Sequence, residues 1–163
     1  MSEITVRPAT LVDAEFIAEG NARMALETEG RTLDPTILRS GVRAVFNNPA
    51  HGFYLIAEVN AKPAGQMMIT YEWSDWRNGF FWWIQSVYTI PELRGRGIFK
   101  ALYSRVDAMA RRNGEVCGLR LYVESHNQRA QAAYLRCGMS AAIYRMFEVD
   151  YSAPAVPPAP TLG

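Results

Sequence analysis

The chain has 163 residues, of which 49% are hydrophobic and 20% charged, so it is long enough for one globular domain and is not a disordered chain. With 17 Lys and Arg against 16 Asp and Glu, the net charge of +1 gives no broad basic surface for nucleic acid. The amino terminus lacks the pattern of a signal peptide, two cysteines are too few for a disulfide scaffold, and the longest strongly apolar run, residues 79–84, cannot span a membrane. We therefore expect a cytoplasmic protein with reduced thiols that binds neither nucleic acid nor a membrane.

The first third of the chain predicts one strand and two helices. Residues 3–7 alternate between apolar and polar, which is typical of a strand. Apolar residues then follow a helical spacing over 14–26. Asp34 before Pro35 marks the start of the second helix, because Asp caps helices and Pro fits the first helical position. The helix ends at 47–49, Asn-Asn-Pro.

The middle third predicts three strands. Residues 53–59 and 64–73 are strand-like, and the turn at 60–63 between them indicates a hairpin. Residues 80–90 form the third predicted strand and begin with four aromatic residues in a row. Continuous apolar sequence of this kind is typical of a central strand covered on both faces.

The last third predicts a helix from residue 98 to about 113, a strand over 119–123, a helix over 127–137 and a final strand over 142–149. A strand–helix–strand unit of this length favours a parallel pair. Residues 152–163 contain four of the nine prolines and few large apolar residues, which predicts a disordered tail.

The predicted order is therefore βααβββαβαβ, a fold of the α+β class. We expect a central mixed, mostly antiparallel sheet with helices on both faces. The whole folded part, residues 1–151, is predicted to form a single domain.

The segment after the third of these strands carries the clearest chemical signal. It runs through Arg94, Gly95, Arg96, Gly97, Ile98, Phe99 and Lys100. Glycine lets the backbone approach a ligand, the first N–H groups of the following helix lack partners inside the helix, and three cations lie nearby. Such a segment predicts a site for a pyrophosphate or another dianion. It is neither a P-loop, which needs Gly-Lys-Ser/Thr, nor a dinucleotide fingerprint, which needs glycine where Lys100 stands.

Together with two further segments, this loop resembles the GNAT family of N-acetyltransferases. Residues 94–99 match the family pattern Arg/Gln-x-x-Gly-x-Gly/Ala, with Phe99 in place of the last small residue. Asn127 and Tyr134 have the seven-residue spacing of the family's second cofactor segment, which puts both on one helical face. The resemblance extends from Ile4 to about Tyr151.

The resemblance implies an enzyme that transfers the acetyl group of acetyl-CoA directly to a primary amine. In the family, the loop amides hold the pyrophosphate, which assigns residues 94–100 to coenzyme A. The strand segment Val87, Tyr88 and Thr89 would pair through its backbone with the pantetheine arm, and Asn127 would contact the same arm. The acceptor is expected to be a small molecule, with a protein or peptide amine as the alternative. Members are often dimers, so the resemblance also implies a homodimer.

The chemistry of the transfer needs proton donors and acceptors. Tyr134 is the candidate general acid for the leaving thiolate, and the backbone near Val87 could stabilise the oxyanion. An alkylamine must lose its proton before it attacks, so a base or a desolvating pocket is required. We rank Glu72 first as the base, Glu124 second and Asp75 third.

Two other interpretations stay open at this point. The chain could be a non-catalytic module that binds or senses acyl-CoA, since no base is obvious, or another nucleotide-binding protein with the same loop. Lone histidines at 51 and 126 have no partners at metal-ligand spacing, so we expect no metal site.

Overall fold

The computed structural model describes residues 3–152, which form five strands and four α-helices. In chain order these are β1 (Ile4–Pro8), α1 (Ala14–Glu29), α2 (Pro35–Asn47), β2 (Phe53–Val59), β3 (Lys62–Ser74), β4 (Gly79–Thr89), α3 (Ile98–Arg112), β5 (Val116–Arg120) and α4 (Gln128–Arg136). Within the described range, no helix has the length and hydropathy to cross a membrane.

Helix starts follow from local capping. At α2, the Asp34 side chain accepts hydrogen bonds from the backbone N–H groups of Thr36 and Ile37, at 2.8 and 2.9 Å. Before α1, the carboxylate of Asp13 is buried and receives two hydrogen bonds from the Arg7 guanidinium, at 2.8 and 2.9 Å. This pairing holds the pKa of Asp13 below its usual range and ties the first helix to β1.

The strands form one sheet in the order β1-β2-β3-β4-β5. Neighbours from β1 to β4 are antiparallel, whereas β5 lies parallel to β4 after the α3 crossover. This arrangement confirms the predicted mixed α+β fold, including the hairpin between β2 and β3 and the strand–helix–strand unit.

Alternating side chains of the strands divide the core between two faces. Met67 and Ile69 of β3 pack with Leu102 and Val106 of α3 on one face. Met68, which lies between them in the chain, packs on the opposite face against the cluster formed with α1 and α2. The sheet is thus a central layer with α3 on one side and the helix pair on the other.

The structure corrects the prediction at the carboxyl-terminal end. Residues 142–149 form no strand, and the strand predicted at 119–123 lies earlier, at Val116–Arg120. The segment has the β-branched and aromatic residues of a strand, but a strand also needs a hydrogen-bonded neighbour, and within residues 3–152 this segment has none. The predicted tail at 152–163 lies outside the described residues except for Ser152.

Candidate active site

β4 separates from β5 halfway along its length. The two strands pair from Phe80 with Val116 to Trp83 with Arg120, and no described pairing continues beyond that point. Residues 84–89 remain paired with β3 on their other side. Backbone groups in this half of β4 that point away from β3 therefore meet no described strand. They line an opening at the carboxyl end of two parallel strands, where ligands of open sheets bind.

A β-bulge lies within the separated half of β4. Ser86 and Val87 together face the single residue Met67 at a shift in the β3–β4 register. Ser86 has a φ of 49°, a left-handed conformation that a residue with a Cβ adopts at an energetic cost. Because a bulge bends its strand, Val87 to Thr89 leave in a direction different from that of the paired half.

The glycine loop follows directly. Gly95 and Gly97 have φ values of 80° and 90°, and Gly97 immediately precedes α3. A Cβ at Gly95 would meet nothing within 4 Å, so space does not explain the glycines at these positions. They are needed because the backbone there has a positive φ. No described side chain caps α3, which leaves its first amides directed at the opening. Free amides at a helix start are the groups that an anion needs, and the anion site at this turn stays a prediction.

The cations of the loop have different environments. Arg94 donates from Nε to the carbonyl of Thr89 at 3.0 Å and from a terminal nitrogen to Glu27 at 2.6 Å, and its guanidinium lies 5.7 Å from the Tyr88 ring centre. It therefore braces the loop against β4 and α1. The side chains of Arg96 and Lys100 are exposed and form no ion pair with residues 3–152. These two are the cations left to face an anion.

Aromatic contacts bring Tyr134 of α4 to the first turn of α3. Its ring meets that of Phe99 edge-to-face with centres 5.4 Å apart, and Phe99 also packs against Tyr103 at 6.1 Å. Phe99, the residue that departs from the loop pattern, thus connects the two helices. Burial raises the pKa of the Tyr134 phenol, which keeps it protonated over a wider pH range.

Asn127 stands at the start of α4. Its side-chain oxygen accepts a hydrogen bond from the backbone N–H of Ala130 at 3.1 Å, so it caps the helix. This cap fixes the orientation of the side chain and leaves its amide nitrogen as the donor. The structure therefore gives Asn127 a structural role as a helix cap, and its contact with pantetheine stays a prediction.

The three candidate carboxylates lie in separate surroundings. Glu72 pairs with Arg120 at 3.0 Å and accepts a short hydrogen bond from the Trp83 indole. Its strand partner, Phe81, precedes Val87 by six residues, which is about 20 Å along the strand. The structure therefore leaves Glu72 on β3, opposite the paired half of β4, and does not bring it to the loop.

Glu124 and Asp75 are also bound locally. Glu124 accepts hydrogen bonds from the backbone N–H and the ring of His126 at 2.9 and 2.8 Å, and the ring bond does most to lower its pKa. Asp75 lies in the β3–β4 turn and accepts from the Trp76 N–H. A lowered pKa makes Glu124 a weaker base.

A buried polar cluster beside the site was not foreseen. Gln66 of β3 is fully buried and donates to the carbonyl of Ile17 and the side chain of Asn21, at 3.2 and 2.8 Å. A Cβ at Gly20 would come within 2.5 Å of the Gln66 side-chain oxygen, so a glycine lets α1 approach the sheet. In the sequence, the isolated Gly20 in the middle of a predicted helix is the feature that could have indicated this close packing.

Comparisons with known proteins agree with this geometry. The model of the acetyltransferase (GNAT) family matches residues 21–139. The crystal structure of a possible acetyltransferase from Clostridium difficile 630 is 41% identical, aligns with 92% of this chain and 99% of its own, and has a TM-score of 0.85. A search of curated proteins gave no match.

Two more distant structures share the fold. A "predicted acetyltransferase with acetyl-CoA" from Clostridium acetobutylicum is 19% identical, aligns with 91% of this chain and 96% of its own, and has a TM-score of 0.73. An aminoglycoside N-acetyltransferase in complex with CoA is 13% identical, aligns with 93% of this chain and 97% of its own, and also has a TM-score of 0.73. The family match includes the separated strand, the loop and α4. The chain therefore belongs to the acetyltransferase (GNAT) family.

Proposed function

We propose that the protein is an N-acetyltransferase that moves the acetyl group of acetyl-CoA to a primary amine. The observation that carries this proposal is the separation of β4 from β5 directly before an uncapped helix start. The opening offers free backbone groups along one strand and unpaired amides at its end. A long co-substrate with a diphosphate and an amide-containing arm needs both.

The proposed binding mode assigns one part of the co-substrate to each element. The pyrophosphate lies on the amides of residues 95–100, with Arg96 and Lys100 supplying positive charge. The pantetheine arm runs along the backbone of Val87, Tyr88 and Thr89. Asn127 donates to the same arm from the opposite side of the opening.

Transfer proceeds by direct attack in a ternary complex. The amine nitrogen bonds to the acetyl carbon, the bond from that carbon to sulfur breaks, and a backbone N–H near Val87 stabilises the intermediate oxyanion. Tyr134 gives its phenolic proton to the departing thiolate and regains one from solvent. The raised pKa of Tyr134 supports this role, because the phenol is protonated at neutral pH.

For the proton that leaves the amine, Glu72 remains our first candidate and Glu124 the second. Thr70 and Gln85 are hydrogen-bonded at 2.7 Å on the sheet face that also carries Glu72, and Thr70 lies two residues nearer the opening along β3. A proton would reach Glu72 along this face through water. A small-molecule acceptor is supported by the fold shared with an aminoglycoside N-acetyltransferase.

Calorimetry with acetyl-CoA, followed by an amine panel that monitors release of free thiol, tests the proposal. We expect micromolar binding and thiol release with at least one small primary amine. One observation favours the non-catalytic alternative, namely that none of the three carboxylates lies at the loop. Binding without thiol release across peptide and small-molecule amines would select that alternative, and absence of binding would reject both.

A further inference from the structure

A polar side chain is buried in the layer between α1 and the sheet, directly behind the strand segment proposed for pantetheine. Gln66 of β3 is fully buried and lies opposite Tyr88 of β4 in the strand register. Both side chains point toward α1, because residues directly across from each other on paired strands share one face of the sheet. The buried amide therefore lies behind the open half of β4, on the sheet face away from α3.

Gln66 uses both hydrogens of its amide nitrogen to hold α1. It donates to the backbone carbonyl of Ile17 at 3.2 Å and to the side-chain oxygen of Asn21 at 2.8 Å. Ile17 and Asn21 are four residues apart, so they lie on one face of the helix. Two directional bonds fix the rotation of α1 and its position along the sheet, whereas apolar contacts are non-directional.

The side-chain oxygen of Gln66 has no hydrogen-bond partner among residues 3–152. A buried oxygen without a partner has a free-energy cost, which an apolar side chain of similar size would avoid. Positions where a sequence departs from such a local rule are expected to be functional or strained. A polar residue at this depth therefore needs a reason other than stability.

Gly20 determines how closely α1 approaches the two strands. An added Cβ there would lie 2.5 Å from the side-chain oxygen of Gln66 and 2.9 Å from the ring carbon Cδ1 of Tyr88. Glu27 lies two turns further along the same helix face, at a distance of about 10 Å, and bonds to Arg94. One face of α1 thus contacts the buried amide, the proposed pantetheine strand and the glycine loop in succession.

We propose that Gln66 is a positioning residue for the binding of acetyl-CoA. Through Ile17 and Asn21 it holds α1 at the depth and rotation that keep Tyr88, and with it the backbone of residues 87–89, in line with the amides of the glycine loop. Gln66 acts from behind the strand and does not itself touch the co-substrate. The inference rests on the proposed function, since it concerns the site of acetyl-CoA.

Two glycine substitutions give the first test. Gly20→Ala inserts a Cβ between α1 and the side chains of Gln66 and Tyr88, and calorimetry should give a Kd for acetyl-CoA raised by roughly tenfold. Gly41→Ala is the matched control, because Gly41 also lies inside a helix and its added Cβ would meet nothing within 4 Å. It should leave the Kd unchanged. The same Kd for both variants would contradict the proposal.

A second pair of variants gives an answer even if Gly20→Ala does not fold. Gln66→Met has an apolar side chain of similar length and removes both bonds to α1. Ile69→Val lies on the same strand but on the opposite face, and it also lowers the free energy of unfolding by removing buried atoms. At a temperature where circular dichroism shows both variants folded, only Gln66→Met should raise the Kd, by roughly three- to tenfold. Equal Kd values would leave Gln66 a purely structural role and overturn the proposal.

The double variant Gly20→Ala/Gln66→Met tests whether the two changes act through the same contact. If both displace α1, the rise in Kd should be clearly smaller than the product of the two single effects. A rise equal to that product would assign the changes to separate causes and overturn the proposal.

The unmodified chain separates this inference from the proposed function. If it does not bind acetyl-CoA, the proposed function fails and this inference fails with it. If the unmodified chain and Gln66→Met bind acetyl-CoA equally well, only this inference is wrong and the proposed function stands.

Discussion

The two halves of β4 differ in composition and in strand pairing. From Gly79 to Trp83 the strand has neighbours on both sides, and its side chains support the Glu72–Arg120 pair. From Ile84 to Thr89 it has one neighbour, a bulge at Ser86 and a glycine loop at its end. The comparison shows that strand pairing distinguishes the two halves, and we propose that the open half binds the co-substrate. Where β5 is present the backbone is satisfied, and where β5 leaves, the backbone is available to a ligand.

The largest effect is expected at the open half, for Tyr134→Phe. Loss of the proton donor should lower kcat by about 100-fold, the lower end for general acid catalysis, with little change in acetyl-CoA affinity. Steady-state kinetics and calorimetry on the same samples measure the two quantities. Tyr103→Phe is the control, because it removes the hydroxyl of another tyrosine that packs on Phe99. Equal kcat values for the two variants would remove Tyr134 from the mechanism.

A substitution in the glycine loop at the end of the open half should weaken the binding of acetyl-CoA. Gly97→Ala forces a Cβ into the left-handed region at a cost of about 1–2 kcal/mol, which displaces the amides of α3 and raises the Kd for acetyl-CoA by roughly tenfold. Gly114→Ala is a matched control, since Gly114 has no positive φ and its added Cβ would meet nothing within 4 Å. If calorimetry gives the same Kd for both variants, the loop is not the phosphate site.

The paired half is tested by two variants that break the same ion pair. Glu72→Gln and Arg120→Gln should each lower the free energy of unfolding by no more than about 1 kcal/mol, because both side chains are partly exposed. If Glu72 accepts the proton of the amine, only Glu72→Gln should also lower kcat, by up to about 100-fold. Denaturant unfolding and steady-state kinetics on both variants separate a structural role of Glu72 from a role as the base. A common, small loss in kcat would limit Glu72 to a structural role.

The smallest effect concerns pH. Because the folded pKa of Tyr134 is raised, its phenol loses its proton only above the ordinary value near 10. The kcat profile should therefore stay flat between pH 8 and 9.5, measured by chromatographic detection of the acetylated product. An alkaline decline in that range, present in Tyr103→Phe but absent in Tyr134→Phe, would contradict the raised pKa.

Local features of the site could be predicted from the sequence. The glycines at 95 and 97 determine their own backbone conformation, and Asn127 caps the helix that it precedes. Helical geometry alone places Asn127 and Tyr134, seven residues apart, on one face of the helix. Such features depend on neighbours in the chain, which a single sequence displays.

Features that depend on distant pairing could not be predicted. The partner of Glu72 is Arg120, 48 residues away, and Gln66 bonds to Asn21, 45 residues away. The prediction of a strand at 142–149 was wrong for the same reason. The segment has strand-like residues, but a strand also needs a second segment to pair with. The bulge at Ser86 likewise arises from the register with β3 and has no signal in the chain around it.

The side chain of Arg94 has a consequence for the order in which ligands bind. Its guanidinium holds the end of β4 and the last turn of α1 together, so the loop cannot be immobilised without immobilising that helix as well. α1 packs on β4, and we propose that the acceptor enters beside it. Occupancy of the loop by a diphosphate then completes the wall against which the second substrate rests, and we expect ordered addition with the thioester first.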